Sequence, residues 1–351
     1  MSFEVESPLQ DPADVRRRRF LVGSLAAGAM GLGGTVLSPG ARAAGKVDLV
    51  VQLGWVPGVN QAGEIVADRL GFYDQEGLHI RLQPGGPNFD GVPVVASGRA
   101  QVGQVSSSPS VMFAVSQGLP IRCFAVGAQR HPYCYFSLRR NPVRRPIDLV
   151  GRKVGVQPTG TALLRALLAR HRIAEKVVEV VPIGTEFTPL LTGQVDVATG
   201  WLTNTRALKM LGADRVDMPL WDAGVRLYAL PYYAHTDLLR TAPHLLAAFL
   251  RATARGWHHA RTHREQAMDL LAQVLPASDR EDLRVGLDTM LAYSFGELAS
   301  TQGWGAMDPD VWQDQIALYT ELGLFTAPPP KLSDVITLDV LQATRDARRG
   351  A

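Results

Sequence analysis

Twice in this chain a helical segment ends on glycine and drops straight into a strand: Ser97-Gly98-Arg99-Ala100-Gln101-Val102-Gly103 and Thr192-Gly193-Gln194-Val195-Asp196-Val197-Ala198. Glycine ends a helix cheaply because it accepts left-handed dihedrals. Around each echo the apolar periodicity predicts the same order of elements. Residues 47–53 read as a strand, 60–70 as a helix, 78–82 as a strand, 91–97 as a short helix and 101–105 as a strand. Segments 153–157, 161–172, 177–181, 187–192 and 195–199 repeat that order. Two βαβαβ units imply parallel sheets with right-handed crossovers. At 351 residues the chain also exceeds what one hydrophobic core usually supports. The expectation is an α/β protein of two similarly built lobes.

Between the units lie strand-like runs at 121–127 and 133–138, then the polar, proline-bearing stretch Asn141-Pro142-Val143-Arg144-Arg145-Pro146, read as a crossing between lobes. The segment 225–234, with Pro231, reads as the return. Beyond it the pattern is helical: 243–262 sets Leu245, Leu246, Phe249, Leu250, Thr253 and Trp257 on one face, and 264–275 and 309–322 follow. These helices are expected to cover the first lobe. The expected division is therefore lobe I at 44–140 and 232–351, and lobe II at 141–231.

Ahead of the first strand, Arg16-Arg17-Arg18-Arg19-Phe20-Leu21 precedes a mild apolar run to Leu37 and then Ala41-Arg42-Ala43. That order of charged region, apolar region and small-residue cleavage site is a signal peptide's, expected over residues 1–43. Arg17 and Arg18 fit the twin-arginine pattern, with Arg16 where Ser or Thr is usual. Five glycines between Gly23 and Gly34 lower the hydrophobicity of the run, which barely reaches membrane-spanning length. Export by the twin-arginine route, with cleavage between Ala41-Arg42-Ala43 and residue 44, would deliver residues 44–351 to the periplasm or another extracytoplasmic space.

Charge excludes other classes. The formal net charge is +3, charged residues make up 20% of the chain, and no basic block recurs after the first twenty positions, so no nucleic-acid partner is expected. No phosphate loop with a following Lys, no nucleophile elbow and no His-Glu-x-x-His occurs, so neither a catalytic residue nor a cofactor is expected. His259 and His263 share a helix face but are read as solvated, and no metal site is expected. Cys123 and Cys134 would face each other if their runs pair as a hairpin; two buried free thiols are the alternative.

Ligands of parallel α/β sheets sit outside the carboxyl ends of strands, which selects four loops. Ser107 and Ser108 in one, and Thr159 and Thr161 in another, precede helices and offer hydroxyls and amides to an electronegative ligand atom, or else simply cap those helices. Trp55 and Trp201 would sandwich a planar ligand, or belong to local core. Asn60, Gln61, Glu64 and Asn204 would read the edge of a heteroaromatic ring, or face solvent.

Leu53-Gly54-Trp55-Val56-Pro57, Ala62-Gly63-Glu64-Ile65-Val66-Ala67 and Gly71-Phe72-Tyr73-Asp74-Gln75-Glu76-Gly77-Leu78 resemble the opening of the receptors that bind sulfonates, nitrate or thiamine-pyrimidine precursors. Gly118-Leu119-Pro120-Ile121, Asp148-Leu149-Val150-Gly151-Arg152-Lys153-Val154-Gly155-Val156, Thr192-Gly193-Gln194-Val195-Asp196 and Arg251-Ala252-Thr253-Ala254-Arg255-Gly256-Trp257 continue the resemblance in order. It implies the type II periplasmic binding protein fold, with two α/β lobes, two crossing segments and a ligand in the hinge cleft. It also implies a monomeric solute receptor that hands its small-molecule ligand to an ABC permease and its ATPase. Trp55, Ser107, Thr159, Trp201 and Asn204 match positions near that family's ligand site, and the tryptophans with Asn204 favour a pyrimidine-like ligand over a sulfonate or nitrate. A thiamine-pyrimidine synthase uses the same fold, but its cysteine-rich signature is absent here.

Overall fold

The computed structural model describes residues 45–86 and 89–349, so the expected signal peptide, with Arg17, Arg18, Ala41 and Ala43, lies outside the described residues. β1 (Val47–Leu53), β2 (Leu78–Gln83), β3 (Val102–Gln104) and β4 (Ile121–Ala128) belong to the first sheet. β5 (Tyr133–Leu138), β6 (Lys153–Val156), β7 (Glu179–Pro182), β8 (Val197–Trp201) and β9 (Arg215–Pro219) make the second. β10 (Ala229–His235) then returns to the first, giving the orders β2-β1-β3-β10-β4 and β7-β6-β8-β5-β9. In each sheet the βαβαβ strands pair in parallel and a strand from the far side of a crossing pairs antiparallel. The two halves are thus built alike, as the duplicated pattern predicts.

The crossings differ from the sequence expectation. The chain leaves the first sheet at Ala128 and enters the second at Tyr133, so the passage is four residues long and the 141–146 stretch lies after it. β5 consequently belongs to the second sheet, not to the first lobe as the 44–140 division placed it. The return runs between Pro219 and Ala229. Because β4 and β5 part to different sheets, no hairpin joins Cys123 to Cys134. Cys123 stands opposite Tyr233, Cys134 opposite Gly200 and Pro219, and both are buried free thiols.

Eight helices matter for the cleft and its supports: α1 (Ala62–Arg69), α2 (Ser108–Ser116), α3 (Thr161–Arg170), α4 (Thr205–Lys209), α5 (Pro243–Thr262), α6 (Arg264–Val274), α7 (Arg280–Ser294) and α8 (Pro309–Glu321). The face expected of α5 is the buried one, with Leu246, Phe249, Leu250, Thr253 and Trp257 fully enclosed and Leu245 half-buried. α1 lies directly on it. A Cβ on Gly63 would collide with the Trp257 ring, and one on Gly256 with the Gly63 carbonyl, so small residues on both helices permit the close approach. α7 carries contacts across to the second half: Thr205 Oγ1 donates to the Asp282 carbonyl (3.1 Å), and Lys209 pairs with Asp279 (2.8 Å) and Asp282 (2.7 Å).

Candidate functional site

The carboxyl ends of β1, β3, β6 and β8 converge on one cavity of about 340 Å³ between the sheets, within the ~300–1,000 Å³ usual for small-molecule pockets. From the first half come Gly54, the segment Phe89–Val92, Ser106 and Ser107, and, on α2, Ser110 and Phe113, with Gln117 just past its end. From the second come His131, Tyr133, Gln157, Thr159, Leu163 and Trp201. Gly54 is required by space, since a Cβ there would stand 2.7 Å from the Gln104 carbonyl. Gly160 is required for a similar reason: the hydroxyl of Tyr133 occupies the place its Cβ would take.

An aromatic wall runs along the start of β5. His131 meets Trp201 edge to face with ring centroids 4.9 Å apart, and Tyr133 meets Tyr135 the same way at 5.8 Å. The His131 Nδ1 accepts the backbone N–H of Tyr133 (3.1 Å). Burial pushes the basicity of His131 down to about 3, with the Ser106 backbone acting the other way, so the ring is neutral at any physiological pH. Its Nε2 and the Tyr133 hydroxyl are both buried without a hydrogen-bond partner.

Electrostatically the wall is sparse. Among the described residues lining the cavity there is no lysine or arginine, and Asp90 is the one charged side chain. The helix N-termini that point there are largely spent. At α2 the Ser108 amide donates to the Tyr228 carbonyl (3.1 Å), Pro109 has no N–H, and the Ser110 amide turns back to the Ser107 carbonyl (3.2 Å). Before α3, a 3-10 turn at Pro158–Gly160 consumes the amides of Gly160, which donates to Gln157 (2.8 Å), and of Thr161, which donates to Pro158.

Of the ten residues expected at the site, Ser107, Thr159 and Trp201 line the cavity. The other seven are elsewhere. Trp55 is half-buried in its loop, its carbonyl accepting the Gly85 amide (3.1 Å). Asn60 sits in the 3-10 turn Val59–Gln61. Gln61 and Glu64 turn into the first half rather than the cleft. Gln61 donates to Gln104 Oε1 (2.9 Å), Gln104 donates to Glu64 Oε1 (2.6 Å), and Tyr232 donates to the same oxygen (2.6 Å). Fully buried with no cation beside it, Glu64 is held up at a pKa of about 7 by desolvation, against the pull of those hydrogen bonds. Ser108 donates to Gln315 on α8 (2.6 Å), Thr161 is exposed at the start of α3, and Asn204 caps α4 while its amide donates to the Thr185 carbonyl (3.3 Å). Sequence reasoning missed His131, Tyr133 and Gln157. The last directly precedes the Pro158-Thr159 loop that was singled out.

Comparison with known proteins agrees with this architecture. The family described as NMT1/THI5 like matches residues 59–267. The riboflavin-binding protein RibY of Chloroflexus aurantiacus is 26% identical over 292 residues, covering 80% of this chain and 82% of that one. The formylaminopyrimidine-binding protein of Halalkalibacterium halodurans is 24% identical, covering 76% and 83%. The 4-amino-5-hydroxymethyl-2-methylpyrimidine phosphate synthase of Legionella pneumophila is 25% identical, covering 66% and 75%. Among solved structures, the periplasmic aliphatic sulphonate binding protein SsuA of Escherichia coli superposes with a TM-score of 0.63 at 15% identity, covering 83% of this chain and 92% of that one. That likeness shows the type II periplasmic binding protein fold. On the match to more than half its length, the chain belongs to the NMT1/THI5-like family.

Proposed function

We propose that this protein is an extracytoplasmic receptor of an ABC importer, closing its two lobes around a neutral, flat heteroaromatic molecule and performing no chemistry on it. The carrying observation is the makeup of the cavity. An oxyanion such as a sulfonate or nitrate calls for cations or free helix-end amides. Among the described residues no lysine or arginine lines the wall, and the first-turn amides of α2 are already bonded or missing. Trp201 and His131 offer instead the aromatic edges and faces that a ring packs against. Ser107 and Thr159, one from each half, supply hydroxyls that a single ligand would bridge only when the lobes are together, which is how binding would favour closure.

The relatives named for binding riboflavin and formylaminopyrimidine support a heteroaromatic ligand. The likeness to SsuA supports a receptor delivering to a permease and its ATPase, and an extracytoplasmic location reached by the expected signal peptide. Against an enzyme of the synthase kind, both cysteines are buried in the sheets and neither lines the cavity. The receptor would work as a monomer without a cofactor. A thermal-shift panel tests the reading. Pyrimidines and flavin-type rings should raise the melting temperature, since a ligand at 100 times its Kd adds about 2.7 kcal/mol. A shift only with alkanesulfonate or nitrate would overturn the heteroaromatic assignment.

A further inference from the structure

We infer that Lys209 on α4 and Arg165 on α3 are ionic braces that hold the two lobes together from outside the cavity, so that affinity for an uncharged ligand falls as salt rises. The inference rests on the two-lobed receptor reading and not on the class of ring. Neither side chain lines the cavity. Each reaches from the second half to a helix fixed on the first. α7 is fixed there at several points: Arg264 on α6 pairs with Asp288, a Cβ on Gly286 would stand 3.0 Å from Val59, and the Tyr293 carbonyl accepts the N–H groups of Gln129 (3.0 Å) and Arg130 (3.3 Å) where the chain leaves the first sheet. At the opposite end of that helix Lys209 meets Asp279 (2.8 Å) and Asp282 (2.7 Å).

The acceptors are positioned in advance. Asp279 Oδ1 accepts the Asp282 N–H (2.7 Å) and caps α7, and the Asp282 side chain is only 7% exposed, so two held carboxylates converge on one ammonium. Such a network exceeds an isolated surface pair. Beside it the halves do not pack closely: a gap of about 700 Å³ opens between α7 and the second half, with Leu202, Arg215, Asp217 and Val285 in its lining. Polar bonds therefore carry this contact, and they part without loss of core when the lobes separate. The second brace is built alike. Glu175 holds Arg165 Nε (2.7 Å), and Nη2 donates to the Leu322 carbonyl (3.2 Å) at the C-terminal end of α8, where the helix dipole favours a cation. α8 belongs to the first half through the Ser108–Gln315 hydrogen bond (2.6 Å). A contact made with the lobes together raises the fraction of binding-competent protein, and apparent affinity rises by the same factor.

Calorimetric titration of the purified protein with lumichrome, an uncharged ring, tests the braces at about 0.02 M and about 0.5 M NaCl, between which the Debye length shrinks from roughly 20 Å to about 4 Å. The wild type should lose about 5-fold in affinity across that range. Lys209→Met and Arg165→Met should each weaken binding at low salt and reduce the salt effect, the double variant should show none, and Lys209→Arg should behave as the wild type. A merely structural role would lower the melting temperature and leave the salt dependence of affinity intact. Wild-type affinity independent of salt, or full salt dependence in the double variant, overturns the braces and leaves the receptor standing. Should no ring bind, the heteroaromatic reading falls and the braces are read without ligand, from the distance between spin labels at Arg99→Cys and Gln194→Cys, exposed positions on the two halves, the native thiols being buried. High salt and the double Met substitution should each lengthen that distance, and a distance unchanged by both overturns the braces.

Discussion

His131 and Trp201 meet edge to face with ring centroids 4.9 Å apart at 68°, although 69 intervening positions separate them in the chain. The antiparallel pairing of β5 with β8, which sets Tyr133 opposite Trp201, brings them together. One strand fed by a crossing thereby carries a residue from the hinge against the end of a strand of the βαβαβ unit. Trp201 is only half-buried: it lines the cavity while also packing against the core. Trp201→Ala should weaken heteroaromatic binding by roughly 10-fold, the scale of a lost aromatic contact of about 0.5–1.5 kcal/mol together with some burial, with little change in melting temperature. Trp55→Ala should leave affinity unchanged. Titration of both variants checks the contrast, and equal losses would contradict the cavity described above.

Gly160 has no room for a side chain because the Tyr133 hydroxyl fills it. Gly160→Ala should therefore displace Tyr133 and the turn before α3. The expected cost is about 1–3 kcal/mol in denaturant unfolding, accompanied by weaker ligand binding. Gly160→Ala in a Tyr133→Phe background should cost less, since the colliding oxygen is gone.

Glu64 makes stability depend on pH. Folded, it keeps its proton up to about pH 7; unfolded, it ionises near 4.5. The raised folded value means its contribution is complete below about pH 4.5 and is lost as pH rises to about 7. Glu64→Gln retains an acceptor for Tyr232 and Gln104 but cannot ionise. Relative to that variant, the wild type should lose on the order of 3 kcal/mol across this window, read from urea unfolding at fixed pH. Parallel pH profiles would contradict the assignment.

Ser107 and Ser108 are neighbours with different expected roles. Ser108→Ala would leave the buried Gln315 Oε1 without its 2.6 Å donor and should cost about 1–3 kcal/mol of stability with ligand affinity intact. Ser107→Ala should do the reverse, lowering affinity at nearly unchanged stability.

Much of the framework was legible because periodicity records which face is buried. The strands 47–53 and 133–138 and the helix 243–262 have the bounds that their apolar patterns predict. β9 escaped notice because Arg215-Val216-Asp217-Met218-Pro219 offers only two buried apolar side chains and ends on proline. α7 escaped because Arg280, Glu281, Asp282 and Arg284 dilute its first turns, and its apolar face at Leu283, Leu287, Met290 and Leu291 only emerges later. The site was harder to read. Loop positions follow from strand order, but the direction of a side chain follows from packing. Glu64 and Gln61 turn inward because Gln104 and Tyr232 offer partners there, and no spacing in the sequence announces that. His131 was hidden by a topological fact: nothing in two consecutive strand-like runs tells that they part to separate sheets and leave the residue between them at the cleft.

The most direct test of the central claim is isothermal titration of the purified protein with lumichrome and, separately, with an alkanesulfonate at the same concentration. A cavity with no lining cation among the described residues, with its α2 amides spent and an aromatic wall, should bind the ring and give no heat with the sulfonate. Sulfonate binding without ring binding would contradict the account.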